Sequence, residues 1–210
     1  MKIYDISPTI SSETAVWPGD VSFEQRYLCR ISDGSNIDLS SIHTTVHIGA
    51  HTDAPSHYDS EGIGIDQRNL AFYFGKCQVI SVAIERGCRI YPEHVTVGIE
   101  APRVLFHTDS FPDPNFFNRD FCSLSPELVR FLHERDVCLV GIDTPSVDPC
   151  DSKQLESHNE IANKDMAILE GVILNDVEDG IYVLSAVPLK IKDADASPVR
   201  AILIDDFHLT

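Results

Sequence analysis

The stretch Ser125-Pro126-Glu127-Leu128-Val129-Arg130-Phe131-Leu132-His133-Glu134, followed after two residues by Val137-Cys138-Leu139-Val140-Gly141-Ile142, decides the fold class. Ser125 is a capping residue, and Pro126 sits at the first helical position, where its fixed φ is pre-set and its missing N–H is not needed. Leu128, Phe131 and Leu132 then fall on one stripe of a helix spanning residues 125–134. The run 137–142 is short, apolar and partly β-branched, as a buried strand requires. A helix feeding a strand across so short a gap is an α/β unit. Outward from it, strand character recurs at 2–6, 23–31, 37–47, 77–84, 103–107, 181–187 and 199–204. A second helix is predicted within 157–170, with Ile161, Met166, Ile168 and Leu169 apolar and Gly171 as its stop. The expected class is therefore α/β: a mixed β-sheet core with a few flanking helices. No repeat or linker divides the chain, and 210 residues fit a single domain, 1–210.

Composition narrows the function classes. Sixteen Lys and Arg stand against 33 Asp and Glu, a formal charge of −17, so there is no basic stripe for a nucleic-acid partner. No run approaches the roughly 20 apolar residues of a membrane helix, nor does the amino terminus carry an apolar run of signal length. Neither nucleic acid nor membrane is expected as a partner, and a cytoplasmic location is. The six cysteines are scattered singly and read as reduced thiols. The loop 109–120 carries Phe111, Phe116 and Phe117, expected to bury it, and 143–153 is a second loop just past a strand end, where sites in open α/β sheets form.

The nine histidines are unevenly spread. His47-Ile48-Gly49-Ala50-His51-Thr52-Asp53-Ala54-Pro55-Ser56-His57 places three candidate ligands and a further histidine within eleven residues. A lone histidine here would read as a solvated surface residue; this density points to a metal instead. In a straight strand His47 and His51 would stand about 13 Å apart, too far for one ion held at about 2.0–2.1 Å. Pro55 and the β-branched residues before Val46 oppose a helix. Gly49 permits a tight loop that converges His47, His51 and Asp53 on one ion. Imidazole and carboxylate without thiolate favour zinc, manganese or iron, and the lack of a fourth local ligand leaves a position open for water. His43 reads as structural. Ser146 is set aside as a nucleophile, because no G-x-S-x-G elbow surrounds it.

The segment resembles the H-x-G-x-H-x-D-x-P-x-H signature of the metal-dependent cyclase family, whose best-known members are bacterial kynurenine formamidases. The match covers His47, Gly49, His51, Asp53, Pro55 and His57. Trp17-Pro18-Gly19-Asp20 is similar to the family's W-P-G-D, residues 141–149 to its G-x-D-x-x-S-V-D-P loop, and Asp195-Ala196-Ser197-Pro198-Val199-Arg200-Ala201 to its D-A-S-P-V-R-A close. The likeness runs nearly end to end, and the first two stretches point to the formamidase branch.

The resemblance implies a cyclase-like swivelling β/β/α fold, a homodimer and two zinc ions per subunit, with manganese, iron or cobalt also compatible with such ligands. It implies that His47, His51 and Asp53 hold one ion, that Asp53 and Glu170 bridge to a second, and that His158 completes the second site. His57 would be the acid/base and Trp17 a contact to a small-molecule arylformamide. The implied activity is hydrolysis of N-formyl-L-kynurenine to L-kynurenine and formate in tryptophan degradation; the alternatives are another amide or lactam hydrolysis, such as isatin ring opening, or metal-dependent binding without turnover. Chemically, two divalent ions about 3.5–4 Å apart suit a poor amide electrophile, because they activate water and stabilise the oxyanion. An imidazole near its ordinary pKa suits proton transfer to the departing nitrogen. One demand follows. Twelve residues of continuous helix would separate His158 and Glu170 by about 18 Å, so either the helix is short or His158 lies on a loop that turns back.

Overall fold

The computed structural model describes residues 1–205; the last residues of the expected 1–210 span lie outside them. The strands are β1 (Lys2–Asp5), β2 (Glu24–Cys29), β3 (Leu39–His43), β4 (His51–Asp53), β5 (Phe74–Ser81), β6 (Arg89–Ile90), β7 (Arg103–His107), β8 (Ser123–Leu124), β9 (Leu139–Ile142), β10 (Ala167–Leu169), β11 (Gly180–Ser185), β12 (Ala196–Pro198) and β13 (Ile202–Asp205). The helices are α1 (Pro126–His133) and α2 (Glu156–Asn163). Seven strands form one mixed sheet in the order β1-β13-β11-β5-β7-β9-β10. β5, β7, β9 and β10 run parallel, and the other neighbours are antiparallel.

The α1–β9 unit forms as the sequence dictates. Ser125 Oγ accepts the Leu128 amide at 3.0 Å, and Leu128, Val129 and Leu132 are fully buried. All four residues of β9 are buried, because a parallel strand is covered on both faces. Alternation divides the sheet into two apolar layers. Val104, Phe106, Val140, Ile142 and Ile168 pack with Leu128, Leu132 and Ile161 of the helices. Leu105, Leu139 and Leu169 face the other way, against Ala50, Ala54 and Ile65 around the small β4–β12 ribbon. Helix pair, sheet and ribbon give the β/β/α layering, and β4 meets the sheet at an antiparallel bridge between His51 and Glu170.

The second helix is shorter than expected. Instead of running through 157–170, α2 ends at Asn163. Asp165 adopts a φ of 48°, in the left-handed region that no helix continues through, and Ala167–Leu169 return as β10 beside β9. Gly171 is thus a turn after a strand, not a helix stop. Among the described residues the β2–β3 hairpin pairs only with itself, and its residues are almost all exposed. His43 lies on it, remote from the core. All six cysteines are free.

Candidate metal centre

The turn that brings the histidines together is built on Gly49, with a φ of 59°. It returns the chain into β4, where His51 and Asp53 share a face because they are two residues apart. Pro55 opens a single 3-10 turn, Pro55–His57, that carries His57 back over the ribbon. Glu170 is delivered from the opposite layer: its amide donates to the His51 carbonyl at 2.9 Å and its carbonyl accepts the His51 amide at 3.0 Å. At Gly171, φ is 67° and an added Cβ would lie 2.2 Å from the Gly49 carbonyl oxygen, so the two turns interlock. His158 sits near the start of α2. The short helix and the reversal at Asp165 meet the spacing demand, since the chain doubles back before reaching Glu170.

Five of the expected donors converge at one buried point. His47 Nδ1 is 3.1 Å and His51 Nε2 3.7 Å from Asp53 Oδ1. His158 Nε2 is 3.5 Å from Asp53 Oδ2 and 3.8 Å from Glu170 Oε1, and His51 Nε2 is 3.2 Å from Glu170 Oε2. Yet both carboxylate oxygens of Asp53 are buried without a properly directed hydrogen bond. The imidazoles crowd them without donating to them. Each of the three imidazoles is fixed from behind: His51 Nδ1 on the Gly49 carbonyl at 2.9 Å, His158 Nδ1 on Asp148 Oδ2 at 2.8 Å, His47 Nε2 on Asp195 Oδ2 at 2.9 Å. Such partners place the proton on the outward nitrogen and leave the inward one as a lone pair, the arrangement of metal-ligating histidine.

The electrostatics agree. Burial opposes charge on Asp53, but His158 and His47 outweigh it and hold its carboxyl well below the ordinary range. Burial likewise opposes charge on His47 and His158. The negative charge of Asp53 beside it and the Asp195 carboxylate behind it raise His47 to about 9, and Asp148 with the Asp53 charge raises His158 to about 10. The pocket thus draws positive charge, and its buried, unsatisfied, all-oxygen-and-nitrogen donor set fits a divalent cation. The donor atoms of His47, His51 and Asp53 lie within 4.8 Å of one another, as do those of Asp53, His57 and His158.

His57 stands at the mouth, beside the five-donor cluster and within reach of Asp53 and His158. Its ring is 4.2 Å from that of His47, and burial lowers its pKa, which leaves the imidazole neutral near pH 7. A cavity of about 580 Å³ opens here. Trp17 lines it and packs edge-on against Phe117 at 5.4 Å and Phe121 at 6.2 Å. Phe111 and Phe117 both line the cavity and bury their loop, whereas Phe116 is 67% exposed and does neither. Ser146 Oγ accepts the Asp148 amide at 3.2 Å, as a turn former rather than a nucleophile. Two residues that received no role from the sequence are evident: Asp148 and Asp195, which hold His158 and His47. Both lie within motif stretches, but only tertiary contact reveals what they orient.

Residues 4–149 match the sequence profile of the Cyclase family. A kynurenine formamidase of Bordetella petrii is 41% identical over 96% of this chain and 97% of its own length. The chain belongs to the cyclase family. Among solved structures, one described as a potential metal-dependent hydrolase with cyclase activity superposes with a TM-score of 0.81 at 25% identity, covering 97% of this chain and 98% of that one. Isatin hydrolase A from Labrenzia aggregata shares the fold, with a TM-score of 0.79 at 23% identity over 96% of this chain and 93% of that one. The family's H-x-G-x-H-x-D-x-P-x-H stretch is thus the Gly49 turn, β4 and the Pro55–His57 turn of the structure.

Proposed function

We propose that the chain is a metal-dependent arylformamidase that hydrolyses N-formyl-L-kynurenine to L-kynurenine and formate in tryptophan degradation. The observation that carries this reading is the convergence of His47, His51, Asp53, His158 and Glu170, all but His47 fully buried, beneath an aromatic-walled cavity with His57 at its mouth. The formamidase relative at 41% identity supports the substrate, while the isatin hydrolases support the fold alone.

The residues accommodate two zinc ions. His47, His51 and Asp53 would hold one, and His158 with Glu170 and Asp53 the other. Bound divalent ions supply Lewis-acid polarisation of the formyl carbonyl and activation of water near neutral pH. The chain's own groups do the rest. The carboxylates of Asp53 and Glu170 would offset the metal charge. Neutral His57 takes a proton from the attacking water and delivers it to the departing aniline nitrogen, without which that nitrogen leaves poorly. Trp17, with Phe111 and Phe117, presents aromatic surface to the aryl ring. A protein that merely bound its ligand would have no use for an imidazole beside the open side of the cluster.

The working unit is one hydrolase domain, 1–210, assembled as a homodimer in the cytoplasm. The pairing is supported by the β2–β3 hairpin, where Leu28 is 81% and Ile42 66% exposed. A two-stranded ribbon with both faces in water is marginal by itself. Among the described residues no helix is long and apolar enough to cross a membrane. The test is an absorbance assay of formylkynurenine and, separately, isatin, before chelation, after chelation and after zinc is returned. The reading requires metal-dependent loss of formylkynurenine at a rate well above that for isatin, and absence of turnover by zinc-loaded protein overturns it.

A further inference from the structure

Asp195 supplies a carboxylate that the metal cluster does not itself require. It precedes β12, and its carbonyl accepts the Ala54 amide at 2.8 Å. β12 then pairs with β4 so that Ala196 lies opposite Asp53 and Pro198 opposite His51. The backbone of Asp195 is therefore tied to the strand that carries two of the ligands. Its side chain, half exposed, reaches two imidazoles with a single oxygen: Oδ2 lies 2.9 Å from His47 Nε2 and 3.6 Å from His57 Nδ1. The second contact is too long for a hydrogen bond, but it sets the oxygen in front of the ring nitrogen. The two rings lie close together, 4.2 Å apart and tilted by 42°.

We infer that Asp195 is a positioning residue shared by a metal ligand and the acid/base, through one oxygen that orients the rings of both His47 and His57. The inference rests on the acid/base reading of His57 given above. By accepting from His47 Nε2–H, Asp195 makes His47 present Nδ1 to the metal, on the side where Asp53 Oδ1 lies 3.1 Å away. The same Oδ2 faces His57 Nδ1 from 3.6 Å; a small ring rotation that closes this gap would place the proton on Nδ1 and leave Nε2 as the nitrogen free to exchange a proton with substrate. An acceptor that selects the imidazole tautomer is worth orders of magnitude in a related arrangement, the aspartate behind the histidine of serine proteases. Here one acceptor serves two rings, so the occupancy of the ion and the protonation path are set by the same atom. The competing arrangement is a further cation among His47, His57 and Asp195, whose donor atoms also lie within 4.8 Å of one another.

The experiment uses Asp195→Asn, His57→Ala and the double variant of the full chain. Zinc stoichiometry and affinity are measured by competition with a chromogenic chelator, and kcat and KM with N-formyl-L-kynurenine at saturating zinc. For Asp195→Asn the expected results are unchanged stoichiometry, zinc affinity weaker by about 10–100-fold, and kcat at saturating zinc lower by at least about tenfold with KM within about twofold. In the double variant the loss should equal that of His57→Ala alone, because Asp195 acts through His57. Loss of one zinc equivalent makes Asp195 a ligand and overturns the inference. Full recovery of kcat once zinc saturates removes its hold on His57, and multiplying losses in the double variant do the same. Full turnover by zinc-loaded His57→Ala overturns the acid/base reading separately, while the zinc affinity of Asp195→Asn still reports on His47.

Discussion

Replacing Asp148 by asparagine removes the support behind His158 while preserving shape. Asp148 is fully buried. Its Oδ2 accepts His158 Nδ1 at 2.8 Å, the His158 amide at 3.0 Å and the Ser157 amide at 3.1 Å; its Oδ1 accepts Arg89 Nη1 at 2.9 Å. The same carboxylate therefore caps α2, pairs a half-buried guanidinium and orients a metal ligand. An amide has only one acceptor oxygen, so whichever way the substituted side chain turns, its NH2 opposes either His158 or Arg89. The direct loss is one charge-assisted bond, about 1.5–3 kcal/mol, and removing one partner of a buried pair costs up to about 3–5 kcal/mol. Arg89 retains Glu156 at 2.7 Å and the Leu124 carbonyl at 2.6 Å, which places the cost at the lower end, near 3 kcal/mol. For a chain of this size each kcal/mol is about 2–4 °C, so the metal-free variant should melt about 6–12 °C below the parent. Zinc affinity should fall about 10–100-fold, equivalent to about 1.4–2.8 kcal/mol. Thermal melting of the chelated protein and zinc titration read the two effects separately. A melting point within about 2 °C of the parent, less than one kcal/mol would produce, together with zinc affinity within about twofold would refute the reasoning.

Other perturbations test other parts of the site. Chelation should abolish turnover and, if zinc is held at about a hundred times its Kd, lower stability by about 2.7 kcal/mol, or roughly 5–11 °C by calorimetry; an unchanged melting curve would mean that the folded state gains nothing from the ion. His57→Ala should lower kcat about 10²–10⁴-fold with metal content retained in elemental analysis, and retained turnover would exclude it as the acid/base. Trp17→Ala should raise KM more than it lowers kcat in steady-state kinetics; the reverse pattern removes it from ring recognition. Gly171→Ala forces a Cβ against the Gly49 carbonyl that orients His51, so it should cost about 2–4 kcal/mol from overpacking and left-handed strain and weaken zinc binding. Stability and affinity equal to the parent's would show that the turns yield without cost.

How much of this was legible in the chain depends on the range of the cause. The α1–β9 unit was readable because Ser125, Pro126 and the apolar stripe act within a few residues of one another. The first three ligands were readable for the same reason: Gly49 and β4 bring His47, His51 and Asp53 together locally. His158 and Glu170 came only from resemblance, since a helix reading of 157–170 set them apart. The run Met166 to Leu169 satisfies helix and buried strand alike, and the left-handed Asp165 that decides between them carries no periodic signal. Asp148 and Asp195 lie within motif stretches whose sequence assigns them no role. His47 finds Asp195 at a separation of 148 residues, a distance over which no local pattern speaks.

That separation governs when the site can exist. β4 depends on β12 for its pairing, and His51 is locked by the bridge to Glu170, so the ligand sphere closes only when the strands of a nearly finished chain have met. Non-local pairings of this kind are slow, because loop-closure entropy is lost before any contact repays it. During synthesis, a chain that has emerged only as far as β4 already exposes the H-x-G-x-H loop, but as a loose chelating peptide without its buried partners. The ion therefore enters late, as a seal on an assembled fold rather than as the seed around which it forms.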